Sequence, residues 1–263
     1  MNIDSASTSP PTEATCALAL MAKVPFAGPV KTRLTPPLSP EEAATLSTCF
    51  LRDMTTNVLG INDGTEGVVL YTPADAEAFL RDLLPDGFKL MAQRGETLGE
   101  RLFNAAAELF SNGFESVCLI NSDSPTLPSE ILRMAVSLLA QDGDRVVLGP
   151  SQDGGYYLIG LKHPHRELFE CIAWSTADVL AHTSERAAEI NLPIEFLPTW
   201  YDVDDAATLR LLCDELSLLR HDGQAQFRGG FKAPHTSKYL AGLIAKDDRQ
   251  RLIADACTTQ TRA

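Results

Sequence analysis

The sequence predicts an α/β fold in which a mostly parallel sheet is covered by helices on both faces. Three observations carry this reading. Short runs of strand length recur along the chain and are apolar throughout rather than alternating, as strands buried on both faces must be. Segments with helical starts and stops separate them, so strand and helix alternate. The 263 residues are 44% hydrophobic and 22% charged, which argues against disorder, collagen and coiled coil. A chain this long buries roughly 70–75% of the surface its unfolded form exposes, so it needs no disulfide or metal staple.

Taken in order, residues 16–22 form the first strand candidate, and a long loop rich in Pro, Gly and basic residues follows. Ser39-Pro40-Glu41-Glu42 then reads as a helix start. Ser39 can cap free amides, Pro40 suits the first turn, and Glu42 closes a capping box. That helix should stop near Gly60. Strands are predicted at 67–71, 88–91, 116–120, 145–148, 156–159 and 194–197. Helices are predicted at 74–84, 98–110, 128–140, 177–189 and 206–219. The expected organisation is a polar, disordered N-terminus over 1–14, one domain over 15–220, and a C-terminal helical appendage or tail over 221–263.

With 22 basic and 35 acidic residues, the net charge is −13. Such a chain is poorly suited to nucleic acid or an anionic membrane, so any bound phosphate must meet a local basic cluster. The apolar run 16–22 is too short for a membrane span and lacks a signal peptide's charged start, which makes a cytoplasmic protein the expectation. Six cysteines show no C-x-x-C pair and read as reduced, buried thiols.

Ligands of open α/β sheets bind beyond the carboxyl ends of the strands, and four loops there hold unusual residues. Lys23, Lys31 and Arg33 fall within eleven positions that contain no acidic residue. Gly28 would let backbone approach a ligand, while Lys31 and Arg33 could neutralise phosphate oxygens. The bland alternative is a solvated basic loop. In Asn121-Ser122-Asp123-Ser124-Pro125, Asp123 could hold Mg²⁺ or Mn²⁺ against a diphosphate, or simply start the next turn. Asp153-Gly154-Gly155 reads as an ordinary hairpin turn, or as a wall where Asp153 faces an acceptor. In Trp200-Tyr201-Asp202-Val203-Asp204-Asp205, crowded carboxylates need a cation or a helix start. Asp202 or Asp204 could complete a metal site with Asp123, and Asp204 or Asp205 could cap the last helix.

These runs, with Leu98-Gly99-Glu100-Arg101, Tyr156-Tyr157-Leu158 and Trp174-Ser175-Thr176, occur in an order that resembles a bacterial family of GT-A-fold glycosyltransferase-like proteins. Members are often found near radical-SAM and selenium-related genes. The likeness covers about residues 16–220 and extends distantly to molybdenum-cofactor and phospholactate guanylyltransferases. It implies a Rossmann-like, three-layer nucleotide-diphospho-sugar transferase fold and a divalent cation. By the same likeness, Lys31 and Arg33 would hold phosphates, and Asp123 and Asp204 the cation. Two departures stand out. The family's usual Gly-Ser-Asp-Cys-Pro is Asn121-Ser122-Asp123-Ser124-Pro125 here. Its Asp-Thr-Pro-Glu-Asp-Leu is Asp204-Asp205-Ala206-Ala207-Thr208-Leu209.

The functional expectation is a metal-dependent transferase joining a small-molecule acceptor to a nucleotide-activated donor, foremost a glycosyltransferase. Asp153 would orient the acceptor or act as its base. The alternatives are a nucleotidyltransferase releasing pyrophosphate, and a non-catalytic nucleotide-binding subunit.

Overall fold

The computed structural model describes residues 15–24, 31–62, 64–218 and 229–245. The candidate Gly28 and the predicted N-terminal segment lie outside this set, as does most of 221–263. Seven strands form one sheet: β1 (Cys16–Lys23), β2 (Thr65–Thr72), β3 (Lys89–Ala92), β4 (Ser116–Asn121), β5 (Val146–Pro150), β6 (Tyr156–Leu161) and β7 (Ile194–Phe196). Their order is β3-β2-β1-β4-β6-β5-β7. β6 pairs antiparallel with both β4 and β5, and every other pairing is parallel. β1 is flanked by β2 and β4, so the order reverses there, and a crevice opens at its carboxyl end.

The apolar strands fill both faces, as their composition requires. Cys16, Leu18, Leu20 and Ala22 of β1 enter one core cluster, and Ala17 and Ala19 enter the other. On the first face lie α1 (Pro40–Leu59), α2 (Glu77–Leu83) and α4 (Ser129–Leu139), through Met54, Leu80 and Leu132. The second face is covered by α3 (Leu98–Ser111) and α5 (Val179–Glu189), through Ala106 and Ala187. Three layers result.

α1 begins where its capping box predicts. The Ser39 side chain accepts from the Glu42 amide, and Glu42 accepts from the Ser39 amide. Among the described residues, the remaining α-helices are α6 (Ala206–Glu215) and α7 (Pro234–Leu243). α7 falls in the segment expected to be an appendage, yet it is built into the body. Leu240 and Leu243 join Leu46 and Phe50 of α1 in a third core cluster. The buried carboxylate of Asp53 in α1 accepts from the amides of His235 and Thr236 at 3.0 and 2.8 Å, which satisfies the free start of α7. Among the described residues, no helix is long and apolar enough to cross a membrane.

Candidate active site

The loops leaving β1, β4 and β5, together with the segment before α6, converge at the reversal point. Asp202 ties three of them together. Its Oδ1 accepts from Asn121 Nδ2 at 2.7 Å and Ser124 Oγ at 2.6 Å, and its Oδ2 accepts from Ser151 Oγ at 3.0 Å. Burial pushes the Asp202 carboxyl above the usual range, against the pull of Ser124 and Asn121. With both oxygens already bonded to protein, Asp202 acts as a knot between loops.

The knot sets two other carboxylates side by side. The Val203 amide donates to the Asp123 carbonyl at 2.9 Å, which fixes one loop against the other. Asp205 takes the cap of α6, its Oδ1 accepting from the Thr208 amide at 2.9 Å, and this leaves Asp204 to face the crevice. Between Asp123 and Asp204 sits the ammonium of Lys31. Its Nζ lies 2.8 Å from an oxygen of each, and it donates to the Val203 carbonyl at 2.8 Å. The Lys31 side chain is only 6% exposed. Burial alone would lower its pKa, but the two carboxylates outweigh that and hold it above the ordinary lysine range. Lys31 reaches this position from a left-handed backbone, φ 51°. That conformation is sparsely populated for a residue with a Cβ, and it costs of order 1–3 kcal/mol. Arg33 Nη2 contacts the other Asp204 oxygen at 2.7 Å and is 69% exposed.

Two hollows meet here. The first, about 350 Å³, lies over the ends of β1 and β2 and is lined by Lys23, Lys31, Arg33, Arg101, Asp123 and Asp204. The second, about 570 Å³, lies over β4 and β6 and is lined by Asp153, Asp202, Asp204, Tyr156, Tyr157 and Trp174. Met21, Arg33, Leu98 and Asp204 belong to both.

Two glycines shape the second hollow. Gly154 has φ +90°, and a Cβ there would stand 2.0 Å from the Ala177 carbonyl oxygen. Its own carbonyl accepts from the Leu180 amide at 3.0 Å, so the β5–β6 turn is clamped to the segment that carries Trp174. A Cβ on Gly99 would stand 2.7 Å from Trp174 Nε1, so only glycine lets the start of α3 close on that ring. Asp153 forms the turn read from the sequence, its Oδ1 accepting from the Gly155 amide at 3.0 Å, and it also lines the hollow.

Of the residues singled out from sequence, Lys23, Lys31, Arg33, Asp123, Asp204, Asp202 and Asp153 all border this crevice. The geometry separates Asp202, which is bonded to neighbouring loops, from Asp204, which faces Asp123 across a cation. Sequence reasoning missed Arg101, Tyr156 and Trp174 as lining residues, although each lies inside a run already noted. It also missed Ser124 and Ser151 as donors to Asp202, because isolated serines carry no positional signal. Asp123 and Asp204 offer hard oxygen donors around a position already held by a cation, a donor set that suits Mg²⁺ or Mn²⁺ completed by phosphates and water. Among the described residues, no third His, Cys, Asp or Glu joins them in a metal-binding group.

Comparison with known proteins agrees with this architecture. Residues 55–176 match a family described as uncharacterised proteins conserved in bacteria (DUF2064). A comparison with curated proteins finds no match. The crystal structure of a provisionally assigned nucleotide-diphospho-sugar transferase from Desulfovibrio desulfuricans G20 is 31% identical, with a TM-score of 0.76, over 90% of this chain and 98% of that one. A CMP:2-keto-3-deoxy-manno-octonic acid synthetase complexed with CTP shares the fold at 11% identity and a TM-score of 0.50, over 75% of this chain and 96% of that one. The chain belongs to the family of the Desulfovibrio protein, a family of transferases with the nucleotide-diphospho-sugar transferase fold.

Proposed function

We propose that the chain is a metal-dependent glycosyltransferase that uses a nucleotide-diphospho-sugar. The observation that carries this is the pair of joined hollows: among the described residues, the first gathers four basic side chains, and the second has no basic residue that the first does not share. The first suits the diphosphate of the donor, and the second suits the acceptor. Arg33 and Asp204 stand at the seam, where the bond would be exchanged.

The acceptor's hydroxyl oxygen would bond to the anomeric carbon as the bond from that carbon to the diphosphate breaks. The electron pair leaves with the nucleoside diphosphate, and Asp153 takes the hydroxyl proton. Arg33 places positive charge where the leaving diphosphate gains negative charge. Lys31, a point charge on a flexible stem, neutralises Asp123 and Asp204 and adds positive charge beside the place of the phosphates. A divalent cation on Asp123 and Asp204 would add Lewis-acid stabilisation of the diphosphate.

A second reading, nucleotidyl transfer, is favoured by the same four basic side chains, since a triphosphate carries more charge to neutralise. Product analysis separates the two. The chain is incubated with Mg²⁺ or Mn²⁺, a panel of nucleotide-sugars or nucleoside triphosphates, and sugar acceptors with and without phosphate. Release of nucleoside diphosphate is expected. Pyrophosphate release from a triphosphate would replace glycosyl transfer with the second reading.

A further inference from the structure

The second hollow differs from the first in chemistry as well as place. Three carboxylates line it, those of Asp153, Asp202 and Asp204. Arg33 is its one basic residue among those described, and that guanidinium is already paired with Asp204 at 2.7 Å. Asp204 is offset by Lys31 and Arg33, and Asp202 is bonded to the neighbouring loops. A phosphate or carboxylate on an acceptor would therefore meet the Asp153 carboxylate, with no cation among the described lining residues that is not already paired.

The rest of the lining includes aromatic and aliphatic side chains. Tyr156 and Trp174 meet edge to face, with ring centroids 6.5 Å apart and planes at 79°. Leu102, Leu119 and Ile159, which are core residues, back that pair. Such a lining favours an apolar ring or chain, and the polar groups set its orientation.

We infer that the second hollow takes an uncharged, hydroxyl-bearing acceptor with an apolar ring or chain, and that the Asp153 carboxylate disfavours phosphorylated acceptors. This deepens the glycosyl-transfer reading and rests on it for the word acceptor; the charge preference rests on the hollow alone.

Binding can be read without turnover, because Trp174 lines the hollow and reports on it. The full chain is titrated with phenyl β-glucoside and with the 6-phosphate of the same compound, following tryptophan emission, and Trp174→Phe serves as the control. The neutral glycoside is expected to change the emission saturably and to bind roughly tenfold or more tightly than its phosphate. That signal should vanish in Trp174→Phe. In Asp153→Asn the discrimination should narrow, which a purely structural role for Asp153 would not produce. Equal or tighter binding of the phosphate overturns the inference, as does the absence of binding by either compound. Pyrophosphate release in the separate product assay would instead remove the glycosyl-transfer reading and leave the measured charge preference standing.

Discussion

The two hollows lie over neighbouring strand ends and share four residues, yet their chemistry is opposed. Over β1 and β2 the lining is basic, with Lys23, Lys31, Arg33 and Arg101. Over β4 and β6 it is acidic and aromatic, with Asp153, Asp202 and the Tyr156–Trp174 pair. The reversal in strand order accounts for a crevice at this point, but a fold alone does not assign chemistry to either side of it. The assignment comes from a few loop side chains. It depends most on Asp204, which belongs to both hollows and neutralises Lys31 and Arg33 at once.

The comparison can be broken most severely at that shared residue. Asp204→Asn leaves the side chain's size nearly unchanged and removes the charge that both basic groups contact. A loss of about 10²–10³ in kcat/KM is expected, comparable to removing one electrostatic contact in a preorganised site. Steady-state release of nucleoside diphosphate measures it, and a loss below tenfold would mean that Asp204 is not the junction.

A smaller pair of effects would sharpen the contrast. Arg101→Ala should raise KM for the donor about tenfold and spare that of the acceptor, and Trp174→Ala should do the reverse. Equal effects of either variant on both substrates would show that the hollows do not divide the substrates between them.

The smallest effect concerns Asp205, which frees Asp204 by taking the helix cap. Asp205→Ala should cost about 1 kcal/mol of stability. The Thr208 amide holds the Asp205 carboxyl below the usual range. A depressed carboxyl contributes stability that is fully present above its unfolded pKa, about 3.9, and that is lost as pH falls through the lower folded value. Urea unfolding should therefore show a smaller gap between wild type and variant at pH 3 than at pH 7. A gap that does not change would place the cap's contribution elsewhere.

Much of this was readable in the residues. The central strands were visible as apolar runs, because burial on both faces leaves no room for alternation, whereas the edge strands β3 and β7 carry Lys89 and Glu195 and are only partly buried. The start of α1 was visible because Ser39 and Glu42 cap each other locally. Lys31 and Arg33 were visible as a basic cluster in an acidic chain, Asp123 as a carboxylate just past an apolar strand, and Asp204 as one of three crowded aspartates. What could not be read depends on distant pairing. Lys31 lies between Asp123 and Asp204, far away in sequence, so its counter-ions are a property of the assembled loops. The parting of Asp202 from Asp204 rests on Ser124 and Ser151, which reach Asp202 only after folding. The seat of α7 rests on Asp53, a buried carboxylate in the middle of a distant helix.

The central claim is that a nucleoside diphosphate is held by the basic side chains at the end of β1. It is tested most directly by thermal unfolding with a panel of nucleoside diphosphates and Mg²⁺, in the wild-type chain and in Lys31→Ala. At about 100 times its dissociation constant, the cognate diphosphate should add about 2.7 kcal/mol of stability to the wild type, and much less to Lys31→Ala. An undiminished shift in Lys31→Ala, or no shift with any diphosphate in the wild type, would contradict it.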